Sequence, residues 1–339
     1  MPSELETDDG TNMKPGTVVS SARYSFVIVK LLGEGGFGAV YKVYEQSEPT
    51  KFYAMKVEKK VERRKDFKLK MEVAILKLVS QERTVETSHF TAIIDRYKRA
   101  KYSFVVMTLV GKSLDDLKRQ RPSRVFSIQT GLGAGIQCLE AIQDLHKHGF
   151  IHRDVKPANY AVGLGNRKRI VYLLDFGIAR RINNDENMLK APRVQVAFKG
   201  TVRFASLNCH RSVELGARDD CESWFYLLLD LTVSQGLPWR KCSEKIDVQR
   251  VKEEYRRLEF RDRLFQGVYC RDQYSKILDY IDALDYPDRP DYSYIYQCLR
   301  EGAAVCDVNL NDPYDWEEES QQKRSSATKR KSVHTARFK

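Results

Sequence analysis

Long apolar runs and paired cysteines are both missing from this sequence of 339 residues. A membrane-spanning helix needs roughly 20 consecutive apolar residues, and runs such as 104–107 and 225–229 are far shorter. The first nine residues are mainly polar and acidic, unlike a secretory signal. None of the seven cysteines forms a Cys-x-x-Cys pair, which argues against common zinc and redox motifs and favours reduced thiols. We therefore expect a soluble, cytoplasmic protein without a membrane partner.

Acidic residues are absent from the last 20 positions, and this skews the charge of the chain. Residues 320–339 carry seven Lys or Arg, and so +7 of the net charge of +12. A solubilising end, a nuclear signal and a regulatory segment all fit this basic tail, so the nucleus stays open as a second location. The rest of the chain shows no helical reading face or base-stacking motif, and we expect no DNA partner. The composition of the whole chain, with 42% hydrophobic and 31% charged residues, is typical of a globular protein.

Short alternating apolar runs predict a β-rich first part of the chain. Three strands are predicted, at 26–29, 39–44 and 52–57. Residues 63–80 change to helical spacing. The apolar stripe of this predicted helix consists of Phe67, Met71, Ile75 and Leu78. Two more strands are predicted near 91–98 and 102–109.

The second part of the chain is predicted to be mainly helical. One helix is predicted around 128–145 although it contains Gly131, Gly133 and Gly135. Because each interior glycine costs about 1 kcal/mol relative to alanine, we expect close backbone packing on that face. Residues 224–231 are apolar nearly all round, as in a buried central helix.

A glycine-rich segment, 33–38, joins two of the predicted strands. It fits the pattern Gly-x-Gly-x-x-Gly, but a dinucleotide-binding loop of this pattern leads into a helix. Here the segment leads into a strand. It therefore predicts a hairpin whose exposed backbone N–H groups can approach phosphate oxygens.

Lys56 follows Ala54 and Met55 on the third predicted strand, a pattern typical of a lysine that pairs with nucleotide phosphates. Glu72 lies at the edge of the apolar stripe of the next helix, where a carboxylate needs a partner. We predict an ion pair between Lys56 and Glu72 that holds the ammonium toward the nucleotide. Glu58 and Glu62 are the alternative partners.

Two further motifs follow in a fixed order. Residues 151–159 read Ile-His-Arg-Asp-Val-Lys-Pro-Ala-Asn, and residues 173–177 read Leu-Leu-Asp-Phe-Gly. Together with the glycine-rich segment and Lys56, they resemble a eukaryotic protein kinase over about residues 24–305. The resemblance implies an α+β, bilobal protein kinase fold. Its N-lobe would be a small antiparallel sheet with one main helix, and its larger C-lobe would be mainly helical.

This resemblance divides the chain into four parts. They are a flexible leader at 1–22, the N-lobe at 23–108, the hinge and C-lobe at 109–310, and an acidic then basic disordered tail at 311–339. We expect a monomer.

The resemblance also implies a transferase, a serine/threonine protein kinase that uses ATP and Mg²⁺ and acts on protein substrates. Asp154 would accept the proton of the attacking hydroxyl, and Lys156 would stabilise the transferring γ-phosphoryl group. Asn159 and Asp175 would hold Mg²⁺, which prefers oxygen ligands. The residues that would bind ATP are Leu32, Gly33, Glu34, Gly35, Gly36, Phe37, Gly38, Ala39, Val40, Ala54, Lys56, Glu72, Met107, Thr108 and Val110.

Residues 200–208 read Gly-Thr-Val-Arg-Phe-Ala-Ser-Leu-Asn where most kinases have Ala-Pro-Glu, and this resembles the casein kinase one superfamily. Residues 71–77 and 237–241 are most similar to its tau-tubulin kinase-like branch. The resemblance implies an anion site formed by Arg203, Lys241 and Arg250. Such a site would favour acidic or pre-phosphorylated protein substrates. Cytoskeletal proteins are a further expected class of substrate. The alternative is that Arg203 only braces the loop.

The segment that follows Asp-Phe-Gly, residues 178–199, contains no Ser, Thr or Tyr. Many kinases order this segment by phosphorylating it, and the phosphate pairs with the arginine of the His-Arg-Asp motif, here Arg153. That switch cannot operate within 178–199, so we expect an enzyme that is active as synthesised. Two alternatives remain, a kinase-like scaffold and a protein whose tail binds an acidic partner. The scaffold is disfavoured because such proteins typically lack one of Lys56, Asp154, Asn159 and Asp175.

Overall fold

The computed structural model describes residues 12–35, 38–60, 68–80 and 87–317. Its contacts divide the chain into two compact units. Unit 1 comprises 1–111, 141–153 and 161–190, and unit 2 comprises 112–140, 154–160 and 191–339. The boundaries of these units differ from those of the predicted lobes, because residues 141–153 and 161–190 belong to the same unit as the first 111 residues. None of the helices in the described ranges is long and apolar enough to cross a membrane.

Unit 1 contains a six-stranded antiparallel sheet with the strand order β1-β2-β3-β4-β6-β5. The strands are β1 Val18–Ser20, β2 Ser25–Gly35, β3 Gly38–Glu45, β4 Glu48–Lys59, β5 Ile93–Lys98 and β6 Tyr102–Thr108. The predicted alternation is confirmed, since Phe26, Ile28, Tyr41 and Val43 share one buried cluster. The helix of this unit's first segment is α1, Lys68–Val79.

The buried face of α1 differs from the predicted stripe. Its buried residues are Leu69, Glu72, Ile75, Leu76 and Val79. Leu78, predicted to be buried, is 38% exposed, and Phe67 lies outside the described residues. The predicted apolar stripe is therefore wrong, because the buried face of α1 includes the carboxylate of Glu72. The cation that pairs with Glu72 lies on β4, so the pattern of the helix alone does not show that Glu72 is buried.

The leader predicted at 1–22 is wrong for its described part. Strand β1 pairs with β2, with Val19 opposite Phe26. Met13 is buried, and its backbone N–H donates to the hydroxyl of Tyr41 at 3.1 Å. Polar composition hid this strand because few of its residues face the core. Residues 1–11 lie outside the described ranges.

Unit 2 is mainly helical. Its helices are α2 Leu114–Arg119, α4 Leu207–His210, α5 Ala217–Thr232, α6 Lys245–Glu254, α7 Leu258–Leu264, α8 Arg271–Ala283 and α9 Tyr292–Val305. Helix α3, Ile128–Lys147, begins in unit 2 and ends in unit 1. The predicted central helix is confirmed, because every residue from 224 to 231 of α5 is buried. The α+β class of the chain is therefore as predicted.

The glycines of α3 allow close packing, as predicted. A Cβ atom at Gly131 would lie 2.4 Å from the side chain of Thr232, and one at Gly135 would lie 2.7 Å from that of Leu228. Both partners belong to α5. The indole N–H of Trp224, also on α5, donates to the carbonyl oxygen of Gly135 at 2.8 Å. The cost of glycine in a helix is thus offset by contact with the central helix.

The tail predicted to be disordered over 311–339 is wrong for residues 311–317. Tyr314 is buried, and a Cβ atom at Gly133 would lie 2.7 Å from its ring. The carboxylate of Asp315 accepts hydrogen bonds from the backbone N–H of Ser127 at 2.8 Å and from its hydroxyl at 2.7 Å. The acidic composition of this segment suggested that it is exposed to solvent, but Asp315 caps the start of α3. Residues 318–339, with the basic tail, lie outside the described ranges.

Two short ribbons position the motif residues. Strand β7, Phe150–Ile151, pairs with β10, Arg180–Arg181, and β8, Tyr160–Val162, pairs with β9, Val171–Leu173. The His-Arg-Asp motif follows β7, and the Asp-Phe-Gly motif follows β9.

Candidate active site

Lys56 and Glu72 form the ion pair predicted from the sequence. The Nζ atom of Lys56 lies 2.6 Å from Oε2 of Glu72 and 3.0 Å from Oδ1 of Asp175. Burial lowers the pKa of Lys56, but the two carboxylates outweigh burial and raise it above its usual value. Burial raises the pKa of Glu72, against the opposing effect of Lys56. Lys56 is therefore held as a cation between two acids of unit 1.

Glu58, one alternative partner of Lys56, has a different role. Its carboxylate accepts hydrogen bonds from the backbone N–H groups of Lys68 at 3.1 Å and Leu69 at 2.8 Å. These are the first residues of α1, whose N–H groups lack partners within the helix. Glu58 thus caps the helix that carries Glu72. Glu62, the other alternative, lies outside the described residues.

Asp175 combines an unusual backbone conformation with an ionised side chain. Its φ angle is 62°, in the left-handed region that non-glycine residues rarely adopt. Burial would raise its pKa, but the charge and hydrogen bond of Lys56 outweigh burial and lower it. The next residue, Phe176, is buried against the rings of Phe90 and His152. His152 therefore packs against the phenylalanine of the Asp-Phe-Gly motif.

Asp154 and Lys156 form a compact hydrogen-bonded cluster in unit 2. The Nζ atom of Lys156 lies 2.8 Å from Oδ2 of Asp154 and donates to the hydroxyl of Thr201 at 2.8 Å. That hydroxyl donates to Oδ1 of Asp154 at 2.7 Å. The side-chain amide of Asn159 donates to the backbone carbonyl of Asp154 at 2.8 Å. This contact uses the nitrogen of Asn159, and its oxygen is the atom that can ligate a cation.

Thr201 was not among the predicted site residues. It follows Gly200 in the segment that indicated the superfamily, but that motif gave no role to its hydroxyl. The structure places the hydroxyl between the carboxylate of Asp154 and the ammonium of Lys156. A hydroxyl can donate and accept at once, so serine or threonine suits this position. No local signal shows this, because 45 residues separate Thr201 from Lys156.

The glycines of the 33–38 segment differ in what requires them. A Cβ atom at Gly38 would lie 1.9 Å from the carbonyl oxygen of Val57, so sheet packing requires glycine there. A Cβ atom at Gly33 or Gly35 would meet no described atom within 4 Å. Glycine at these two positions leaves the backbone open to a ligand, which fits the phosphates of ATP. Gly36 and Phe37 lie outside the described ranges, and Leu32 and Glu34 are exposed.

The apolar residues predicted to bind ATP divide between the two faces of the sheet. Ala54 and Met107 share one buried cluster, and Val40 packs against it. Ala39 lies in the other cluster, because successive residues of a strand point to opposite faces. Its side chain therefore lies on the face of the sheet opposite to that of Val40. Thr108 already donates its backbone N–H to the carbonyl of Ala92 at 3.0 Å. Val110 is partly buried.

The three cations of the predicted anion site all lie in unit 2. The guanidinium of Arg203 donates to the carbonyl oxygen of Arg240 at 3.4 Å, which places it next to the backbone that precedes Lys241. Arg250 lies on α6, is 77% exposed and has its Nη2 atom 3.3 Å from Asp247. The structure thus joins Arg203 to the 240–241 segment. Its bond to a carbonyl also fits the alternative that it braces the loop.

Comparisons with known proteins give consistent matches. The family model of the protein kinase domain matches residues 26–291. The chain is 34% identical to a probable serine/threonine-protein kinase of Dictyostelium discoideum, over 86% of this chain and 56% of that protein. It is 32% identical to the serine/threonine-protein kinase spe-6 of Caenorhabditis elegans, over 89% of this chain and 79% of that protein. It is 28% identical to a putative casein kinase I of Caenorhabditis elegans, over 91% of this chain and 86% of that protein. The chain spans just over half the length of the Dictyostelium relative.

Proposed function

The chain belongs to the protein kinase family, and we propose that it is a serine/threonine kinase that works without phosphorylation of its activation segment, residues 178–199. We further propose that its substrates are acidic or already phosphorylated proteins. The observation that carries the first proposal is a set of contacts within the chain that hold this segment, which has no phosphorylatable residue.

Transfer to a protein hydroxyl requires a base and positive charge at the developing negative charge. In our proposal, Asp154 accepts the proton of the acceptor hydroxyl and orients it. Lys156, held 2.8 Å from Asp154, stabilises charge on the transferring phosphoryl group. Lys56, held by Glu72, binds the phosphates of ATP. The open backbone at Gly33 and Gly35 supports a phosphate-binding role for that hairpin.

Mg²⁺ fits the donor chemistry of two residues. The carboxylate of Asp175 is about half exposed and ionised, and the side chain of Asn159 is oriented by Asp154 through its nitrogen. Both can offer the hard oxygen ligands that Mg²⁺ prefers. When bound, the ion would neutralise phosphate charge. Within unit 2, Asp154 would orient the oxygen of Asn159 through the bond to its nitrogen.

The first part of the activation segment is held by backbone contacts in unit 1. The Nε atom of Arg153 donates to the carbonyl of Ile178 at 2.7 Å. In kinases switched by phosphorylation, this arginine would instead meet a phosphate. Arg180 and Arg181 pair with β7, and Lys190 donates its backbone N–H to Ile182 at 2.8 Å.

The second part of the segment is held by a bidentate ion pair in unit 2. The guanidinium of Arg193 lies 2.6 Å from one oxygen of Glu214 and 3.0 Å from the other. The side chain of Glu214 is 2% exposed, and a buried carboxylate needs such a partner. The backbone N–H of Val196 donates to Ser212 at 2.9 Å. Here the segment carries the cation, Arg193, and Glu214 outside the segment carries the anion. In kinases switched by phosphorylation, the segment carries the anion and the arginine lies outside it.

The substrate preference rests on the cations beside the catalytic cluster. Arg203 lies two residues after Thr201, whose hydroxyl contacts Asp154. An exposed guanidinium so close to the acceptor site can bind a phosphate or carboxylate on the substrate through charge-assisted hydrogen bonds. The similarity of 71–77 and 237–241 to the tau-tubulin kinase-like branch leads us to propose cytoskeletal proteins among the substrates, with the enzyme monomeric and cytoplasmic.

Replacing Arg203 with alanine should reduce the preference for a phosphorylated peptide by about 10–100-fold, since a hydrogen bond to a charged group contributes about 1.5–3 kcal/mol. The measurement is kcat/KM of bacterially produced protein on two peptides that differ by one nearby phosphoserine. The control is Arg271→Ala, which removes an exposed arginine of α8 that pairs with Asp262. An unchanged ratio between the two peptides in Arg203→Ala would show that Arg203 only braces the loop.

A further inference from the structure

Lys252 on α6 is completely buried, with 0% of its surface exposed. Lysine is rarely buried to this extent, and a buried ammonium needs hydrogen-bond acceptors. Its Nζ atom donates to the carbonyl oxygens of Val202 at 3.2 Å and Ala205 at 2.6 Å. The third neighbour is Nε2 of His210 at 3.3 Å. Lys252 therefore holds the backbone of one short segment.

That segment, 202–205, is a turn outside the strands and helices, so its carbonyl groups need hydrogen-bond donors from elsewhere in the chain. Lys252 satisfies two of its carbonyls. Trp239 satisfies another, because its indole N–H donates to the carbonyl of Arg203 at 2.8 Å. Two buried side chains from different segments thus fix three of four consecutive carbonyls.

The turn is tied directly to the catalytic cluster. The carbonyl of Thr201 accepts hydrogen bonds from the backbone N–H groups of Phe204 at 2.9 Å and Ala205 at 3.0 Å. The hydroxyl of Thr201 lies between Asp154 and Lys156. The turn conformation that Lys252 fixes therefore places Thr201 next to Asp154, the proposed base. The acceptor hydroxyl of the substrate must also reach this base.

The surroundings of Lys252 favour positioning over charge. Its Nζ atom lies 4.6 Å from the ring centre of Tyr226 and 5.1 Å from that of Trp239. Burial lowers its pKa to about 7, although Glu222 opposes burial. Both the ammonium and the neutral amine have the two N–H groups that the two carbonyls require. The turn is therefore held in either protonation state.

We propose that Lys252 is a positioning residue for the protein substrate, which fixes the 202–205 turn so that an acceptor hydroxyl can reach Asp154. This inference rests on the proposed transfer reaction. It adds a residue that touches neither ATP nor the reacting atoms. A lysine that served stability alone would affect the fraction of folded enzyme, whereas a positioning residue affects binding of the peptide specifically.

The test is Lys252→Met, which keeps a long apolar side chain and removes the donors. We expect the KM for a peptide to rise about tenfold, while the KM for ATP and the rate of ATP hydrolysis with water as acceptor change less than twofold. The control is Ile277→Ala, which opens a cavity in the buried face of α8. It should lower Tm and leave the KM for the peptide unchanged.

Four outcomes would contradict one of the two claims. An unchanged peptide KM in folded Lys252→Met, or a parallel rise of both KM values, would overturn the inference. If Lys252→Met does not fold, Trp239→Phe removes the donor to Arg203 while keeping a ring. It should raise the peptide KM about threefold, and an unchanged KM would likewise overturn the inference. A wild-type protein that transfers no phosphate would instead contradict the proposed function.

Discussion

Replacing Asp154 with asparagine should lower the rate of phosphoryl transfer by about 10²–10⁴-fold, the usual contribution of a general base. Asparagine has the same shape but cannot accept the proton of the acceptor hydroxyl. Its side-chain oxygen can still accept from Thr201, which now donates to Asp154 at 2.7 Å. The backbone carbonyl that accepts from Asn159 is unaffected. Lys156 loses its acceptor Oδ2, which lies 2.8 Å from its Nζ atom, but the two remaining bonds keep residue 154 in place, so the loss should appear in kcat.

The measurement is the initial rate of phosphate transfer to casein with ATP and Mg²⁺, together with Tm. The control is Asp279→Asn, which removes a carboxylate of α8 that pairs with Arg261. It should change the rate less than twofold. An Asp154→Asn protein with the wild-type Tm and more than a tenth of the wild-type rate would rule out Asp154 as the base.

Replacing Lys56 with methionine should lower the transfer rate by about 10²-fold or more, because a preorganised cation at the phosphates is lost. It should also destabilise unit 1. Glu72 would be left buried with no counter-charge, and Asp175 would lose its contact at 3.0 Å. The loss in unfolding free energy should lie between the ~0–1 kcal/mol of an exposed ion pair and the ~3–5 kcal/mol of a fully buried one. Lys56 is 25% exposed.

Stability and catalysis can be separated with a second substitution. The double variant Lys56→Met/Glu72→Gln removes the uncompensated carboxylate and should regain most of the lost Tm. Its transfer rate should stay as low as that of Lys56→Met. The control is Lys51→Met on the same strand, where an exposed lysine lies 3.7 Å from Glu48. If the double variant regains activity along with stability, Lys56 has only a structural role.

The parts of the site that lie in short motifs could be predicted from the sequence. Lys56 was assigned a partner because a carboxylate, Glu72, occurred at the edge of an apolar stripe. The glycines of α3 signalled close packing because their cost within a helix requires compensation. In each case, a residue type that is unfavourable in its local pattern predicted a specific partner or a close contact.

Features that depend on distant partners could not be predicted in this way. Lys252 occurs in a polar helix where a lysine is ordinary, and only the fold shows that it meets the carbonyls of Val202 and Ala205. Tyr314 and Asp315 looked like a solvated end because the groove at Gly133 does not exist until α3 has formed. Alternation places Ala39 and Val40 on opposite faces of β3, but which of the two residues faces each cluster depends on the register of the strand with its neighbours.

Phosphoryl transfer by protein that carries no phosphate is the most direct measurement of phosphorylation-independent activity. Protein made in bacteria is treated with a phosphatase, separated from it, and checked by intact mass. Its initial rate on casein is then compared with that of untreated protein, with Asp154→Asn as the blank. We predict equal rates within twofold, with no lag. A lag that shortens as phosphate accumulates on the enzyme, or a rate lost with the phosphate and regained with it, would contradict an enzyme that is active as synthesised.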